Sequence, residues 1–315
     1  NVGSIGLNTN DYDNQIISGA YIVFACKEDE LNPKYLSVLF NSKGFLNYVN
    51  DKANGGVRMN FKFEDMEAWE IPLPSIEEQA IIVAQIEKQK AFIEGVEKVL
   101  KNWEIDIDTY NTNKSMALEE IADIVDCMHS TPVFIESGYY CIDTTCIEPN
   151  RILFEKARFV SFEDFNYRNS RLIPKKDDIL FSREGTIGTA VIVPKNVELC
   201  IGQRMLLFRS NNKVLPRYLL TVFVSKWFKN VLKELITGTT APHVNIKDLR
   251  ELKIPVPVIK DQEKSIKELD SQVHILNGLR KMKTDSEKKI RQLLAEIWGV
   301  EFIEPVKEAE NTDEE

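Results

Sequence analysis

The strongest constraint on this chain is internal. Moved by 183 positions, the sequence falls on itself without gaps over long stretches. Pro33-Lys34-Tyr35-Leu36 meets Pro216-Arg217-Tyr218-Leu219, and Phe40, Ser42, Lys43, Phe45 and Asn47 meet Phe223, Ser225, Lys226, Phe228 and Asn230. Gly55 meets Gly238, Asp65 meets Asp248, Ile71-Pro72-Leu73-Pro74 meets Ile254-Pro255-Val256-Pro257, and Gln79 meets Gln262. Gly3-Ser4-Ile5-Gly6 echoes Gly185-Thr186-Ile187-Gly188 at a shift of 182. Solenoid units recur every ~20–50 residues, so this spacing implies two whole domains built on one plan. The second copy has a front portion, about 114–182, with no counterpart before Asn1. The expectation is a chain that starts inside its first copy: truncated, processed, or completed by another polypeptide.

Each copy ends in a double-proline segment followed by an amphipathic helix. After Pro74, Ser75 and Glu78 form a capping box, which satisfies the first amides of a helix starting there. Apolar residues then recur at Ile82, Ile86, Ile93, Val96, Leu100 and Trp103, with Gln89 as the polar member. The second helix carries Ile266, Leu269, Val273, Leu276 and Leu279. After the basic interruption Arg280, Lys281 and Lys283, its stripe resumes at Ile290, Leu293, Leu294 and Ile297. Alternating steps of three and four make coiled-coil seams. Each stripe needs a cover: the two helices pack on each other, antiparallel if a pseudo-twofold axis relates the repeats, or each lies on its own domain.

Between the helices, residues 134–210 read as short aromatic and β-branched strands with turns between them, and 216–236 has helical spacing. The fold class expected is therefore α+β, two related domains joined by two long helices. The boundaries expected are 1–74 for the rear of the first domain, 75–113 for its helix, 114–257 for the second domain, 258–300 for the second helix and 301–315 for a disordered acidic tail.

A net charge of −9 argues against nucleic acid only if charge is spread evenly, and it is not. Residues 150–217 hold 13 Lys/Arg against 7 Asp/Glu, while 301–315 hold 1 against 7. Phosphate binding depends on the local field, so a basic domain on an acidic chain is compatible with DNA, as it is with a solvated surface. Five cysteines without a CxxC pair and three histidines suit reduced thiols and no metal site. No apolar run reaches the ~20 residues of a bilayer span. The expected localisation is cytoplasmic.

Catalytic motifs are absent. There is no glycine-rich cofactor loop, no Asn/Asp-Pro-Pro-aromatic tetrad and no GxxxxGK[ST] nucleotide loop. Gly185-Thr186-Ile187-Gly188 is too short for a dinucleotide fingerprint and reads as a hairpin turn. Pro174-Lys175-Lys176-Asp177-Asp178 lacks the acidic-x-Lys strand of a nuclease metal site and reads as a solvated turn. His129 and His274 read as surface residues. No cofactor is expected.

The string Gly238-Thr239-Thr240-Ala241-Pro242-His243-Val244-Asn245-Ile246-Lys247-Asp248-Leu249, with Leu252-Lys253-Ile254-Pro255-Val256-Pro257 and Asp261-Gln262, resembles the end of a target-recognition domain in specificity subunits of type I restriction-modification enzymes. Copy one departs at Arg58-Met59-Asn60-Phe61 and regains the pattern at Ile71-Pro72-Leu73-Pro74 and Glu77-Glu78-Gln79. The Gly185-Thr186-Ile187-Gly188 turn and Gly202-Gln203-Arg204 also match. The resemblance implies two target-recognition domains, the first incomplete, each reading half of a split double-stranded DNA sequence. It implies no catalysis of its own, and as partners two adenine-N6 methyltransferase subunits and a restriction/translocase subunit. A helix of 29 residues from Ser75 to Trp103 is roughly 43 Å long, close to one DNA turn of about 34–36 Å. The alternatives are a scaffold that reads no DNA, or the same module in another restriction or phage-defence methylase system.

Recognition candidates in the second domain are Arg168, Asn169, Arg171, Arg183, Thr186, Gln203, Arg204, Thr239, Thr240 and His243. Arg can pair bidentately with guanine, and Asn or Gln with adenine. Lys175, Lys176 and Lys195 suit phosphate contacts, which position without specifying.

Overall fold

The computed structural model describes residues 5–9, 16–18, 21, 23–52, 62–106, 114–238 and 242–302. The chain divides into two compact units, one of 1–101 with 278–315 and one of 102–277.

The first unit is helical among its described residues: α1 (Pro33–Phe40), α2 (Lys43–Lys52), α3 (Phe63–Glu67) and α4 (Ile76–Asn102). Asn32 caps α1 by accepting from the amides of Lys34 and Tyr35, and Pro33 sits in the first turn, where its missing N–H costs nothing. The capping box at α4 forms as expected: Ser75 N donates to Glu78 Oε2 at 2.9 Å and Glu78 N to Ser75 Oγ at 3.3 Å.

In the second unit, β1 (Ser115–Ala117) and α5 (Leu118–Ile121) lead into a mixed region. This contains β2 (Ala122–Asp126), β3 (Phe134–Ile135), β4 (Tyr139–Ile142), β5 (Ile147–Glu148), β6 (Arg151–Ile152), β7 (Arg158–Val160), α6 (Phe162–Arg168), β8 (Ile179–Ser182), β9 (Ala190–Ile192), β10 (Leu199–Ile201) and β11 (Met205–Ser210). There follow α7 (Pro216–Val224), α8 (Lys226–Leu235), β12 (Ile236–Thr237), β13 (His243–Val244), α9 (Ile246–Glu251) and β14 (Lys253–Pro255). Finally α10 (Ile259–Ile297) gives its first part to this unit and its last part to the other.

Two four-stranded sheets dominate the second unit, in orders β2-β11-β8-β9 and β10-β4-β7-β3. The first is antiparallel throughout; in the second, β10 and β4 run parallel. Phe181 on β8 and Phe208 on β11 pack against Phe223 of α7, with Phe228 of α8 beside them. The region 134–210 is strand-rich as expected, with α6 inserted because Ser161 accepts from the Asp164 amide and starts a helix. The helical spacing of 216–236 resolves into two helices. Ser225 turns extended and its Oγ accepts from the Phe228 amide, so it ends α7 and caps α8.

The repeat is written in hydrogen bonds. Gln79 is fully buried: its Oε1 accepts from Asn32 N at 2.8 Å, and its Nε2 donates to the carbonyls of Glu30 and Pro74. Gln262, 183 positions on and equally buried, accepts from Leu215 N at 2.9 Å and donates to the carbonyls of Lys213 and Pro257. Tyr35 donates its hydroxyl to Pro72 O at 3.0 Å, and Tyr218 to Pro255 O at 2.9 Å. Burial pushes the pKa of both phenols up, so each keeps the proton that makes its bond. Lys34 pairs with Glu87 as Arg217 pairs with Asp270.

Within the first unit, α4 and the last part of α10 run antiparallel. Glu97 meets Lys283 at 2.7 Å, while Ile82, nearer the start of α4, shares a cluster with Ile297 and Trp298 at the far end of α10. On α4, Val83, Ile86 and Val96 are buried and Ile82, Ile93 and Leu100 half-buried, whereas Ile81 and Val99 face solvent. The basic interruption does not break α10. The hydrogen bond from Lys283 to Glu97 holds its ammonium pKa up, and Ser286 fills the buried position that follows. In the second unit, Leu269 and Leu276 are buried, Ile266 and Val273 pack on its core, and Trp103 Nε1 donates to Gln272 Oε1 at 3.1 Å.

Among the described residues no helix is long and apolar enough to cross a membrane. Residues Arg58 to Phe61, Thr239, Thr240 and almost all of the acidic tail lie outside the described residues.

Candidate nucleic-acid interface

Five turns of the second unit are bonded to one another. The turn between β8 and β9 contains Gly185 and Gly188 at φ +68° and +85°, a backbone only glycine adopts freely, so Gly185-Thr186-Ile187-Gly188 is the hairpin turn its composition suggests. Thr186 Oγ1 donates to Thr144 O in the segment after β4. Arg183 N donates to Arg204 O in the turn before β11, and Arg183 O accepts from Val244 N of β13. Gln203 Nε2 donates to His129 O, in the loop after β2, at 2.6 Å. A bridge between Glu184 and His243 ties the β12–β13 hairpin to the same edge.

A chain of charge runs through these turns. His129 Nε2 lies 3.1 Å from Asp126 Oδ2, Arg183 Nε 3.6 Å from Asp126 Oδ1, Arg183 Nη2 3.5 Å from Glu184 Oε1, and Arg204 Nε 3.3 Å from Glu184 Oε2. Exposure falls from 68% at the His129 side chain to 13% at Arg183 and rises again to 61% at Arg204. Arg204 also holds φ +68°, unusual for a residue with a Cβ. This edge therefore presents a mixed set of donors and acceptors (Thr186, Arg204, the His129 ring), the kind of array that matches base edges.

Of the residues proposed from sequence, Arg183, Thr186, Gln203, Arg204 and His243 meet here. Arg168 and Asn169 do not, and their expected role as exposed contacts is corrected. The Arg168 side chain is 1% exposed, tied by Nε to Asp164 and by Nη2 to Ser130 O, and Asn169 Nδ2 donates to Leu199 O. Both hold the β-rich region together from inside. Arg171 lies in a separate open cleft of about 440 Å³ with Glu119, Asp123 and Arg250. There Arg171 donates to Asp126 O and Arg250 to Ile124 O, which covers the outer edge of β2.

Lys175, Lys176 and Lys195 are exposed. The neighbouring acidic pair divides: Asp177 lies in the solvated turn expected, with its side chain 48% exposed, whereas Asp178 is buried and takes a bidentate bond from Arg209 at 2.8 and 2.7 Å. Its two oxygens are thereby committed to holding β8 against β11.

Sequence reasoning missed Asp126, Glu184 and Thr144. Glu184 sits directly in the matched turn, between Arg183 and Gly185, and its place next to an arginine was a readable signal, whereas its contact with Arg204 comes from the fold. Asp126 lies 57 positions before Arg183, and only strand pairing brings them together. Nearby Asp143 was also missed. Its burial raises its pKa, but hydrogen bonds from Thr145 and Arg158 outweigh that and hold it below the usual carboxylate range.

A family model described as "type I restriction modification DNA specificity domain" matches residues 1–102 and 111–294. The specificity subunit of the type I restriction enzyme MjaVIII of Methanocaldococcus jannaschii is 24% identical over 313 residues, spanning 89% of this chain and 72% of that protein. A chain of a type I R-M system, solved in work on its assembly and conformational transition, is 20% identical with a TM-score of 0.49, over 92% of this chain and 75% of that one. The S subunit of a type I system from M. genitalium is 17% identical with a TM-score of 0.43, over 85% and 73%.

Proposed function

The chain belongs to the family of type I restriction modification DNA specificity domains, and from that membership we propose that it is the non-catalytic DNA-specificity subunit of a cytoplasmic restriction-modification complex. In this reading it recognises a DNA sequence in two parts and positions methyltransferase and restriction/translocase subunits, which supply all the chemistry. Residues 114–257 form one reading domain and 1–74 belong to another, with 75–113 and 258–300 as spacer helices. The edge carrying Thr186, Gln203, Arg204 and His243 faces base pairs, while Lys175, Lys176 and Lys195 contact phosphates.

One observation carries this reading: the same module occurs twice, with the same buried glutamine and tyrosine bonds, and each copy leads into a long helix. A duplicated reader on paired rods suits a split target. The test is a titration of the assembled complex against salt. Six to ten phosphate contacts lower affinity roughly 10³- to 10⁵-fold between 50 and 200 mM salt. A flat response would mark a scaffold that does not read DNA.

A further inference from the structure

We propose that Arg204 is a base-reading side chain that takes a guanine in the second half-site, and that Glu184 is the residue that positions it. This rests on the DNA-reading role above and makes it specific. Two features separate Arg204 from an ordinary surface cation. First, the cluster it belongs to is electrically balanced. Arg183 and Arg204 face Asp126 and Glu184, with each contact between 3.3 and 3.6 Å. Seen from a phosphate several ångströms away, these charges cancel, so the cluster attracts the DNA backbone weakly. Base edges, which carry partial rather than full charges, are sensed only at hydrogen-bond range, where the outermost guanidinium still acts alone.

Second, Arg204 is aimed. Its carbonyl is held by Arg183 N, its Nε lies 3.3 Å from Glu184 Oε2 as an ion pair, and its backbone sits at φ +68°. Its two terminal amino groups donate no hydrogen bond to a described residue, and the side chain is 61% exposed. An exposed guanidinium whose Nε side is drawn toward Glu184 presents the fork that fits the O6 and N7 acceptors of guanine. Both oxygens of Glu184 are engaged, one by each arginine, so Glu184 acts through Arg204 rather than on a base.

The experiment is selection of bound sequences from a randomised duplex library by the complex of the full chain with its methyltransferase subunits. Four forms are compared: wild type, R204K, R204G and E184Q. R204G fits the left-handed backbone without strain, so it keeps the turn. The wild-type consensus is expected to contain a G·C pair that R204G and R204K both relax, by about 5- to 150-fold against the other pairs at that position, with the remaining positions unchanged. Lysine keeps the charge and loses the fork. E184Q is expected to relax the same position and to steepen the salt dependence, because it leaves the cluster one positive charge in excess.

A consensus that R204G leaves intact overturns the inference, as does full discrimination by R204K, or a loss with R204G that is uniform over all sequences. In those cases the wild-type consensus still stands and the DNA-reading role survives. A wild type that selects no consensus overturns both.

Discussion

The two copies hold the same pair of phenylalanines under different lids. In the second unit Phe223 and Phe228, 4.9 Å apart, are covered by Phe181 and Phe208 of the antiparallel sheet. In the first, Phe40 and Phe45, 4.7 Å apart, meet Trp69, which in turn contacts Trp298 at the end of α10. The contrast extends to a matched position 17 residues earlier than Phe40 and Phe223. Leu206 is 0% exposed on β11, between β2 and β8, while Val23 at the matching position is 77% exposed. Beneath these differences the glutamine and tyrosine bonds agree to a few tenths of an ångström. Apolar burial can be met by any surface of suitable shape, whereas a buried amide or carbonyl needs a partner at a fixed distance. Polar locks therefore stay in register while the lids change.

That contrast can be broken most forcefully in the core. Phe181→Ala should lower the stability of the second unit by about 3–5 kcal/mol, since the void sits in a fully closed cluster. Trp298→Ala should affect the first unit by only about 1–3 kcal/mol, because the indole is half-buried and its buried Nε1 has no partner among the described residues. Hydrogen exchange resolved by segment measures the two separately, and a larger loss for Trp298→Ala would invert the ranking.

The matched apolar positions give the next test. Leu206→Ala should cost about 2–5 kcal/mol and Val23→Ala no more than about 0.5. Equal effects in chemical denaturation would mean that Val23 is covered in solution.

The locks should respond alike. Gln79→Leu and Gln262→Leu each strand one buried amide and two carbonyls, so each should destabilise its own unit by about 2–3 kcal/mol. If only one copy responded, the shared bonds would not be equivalent. Smallest are the exposed ion pairs: double-mutant cycles on Lys34–Glu87 and Arg217–Asp270 should both give no more than about 1 kcal/mol, and less at high salt.

Much of this architecture was legible in the sequence because its signals are local. The Ser75–Glu78 box, the seams of α4 and α10, and the glycine turn at 185–188 each lie within one or two turns of chain. The break at Ser225 was not, since serine inside an apolar helical pattern signals a cap only when the next amides turn to it. Arg168 looked like a surface cation, and its burial depends on Asp164 four residues back and on Ser130 O across the fold. The candidate site was half legible. Its arginines, Gln203 and the turn stood out, but the carboxylate at Asp126 is brought in by β2 pairing with β11, a register that no sequence period reports.

The most direct test of the central claim is the position of methylated adenines when this chain is co-expressed with its methyltransferase subunits. A reader built twice on one plan predicts a single two-part consensus with a fixed gap. Methylation scattered without a consensus, or methyl transfer by this chain alone, would contradict it.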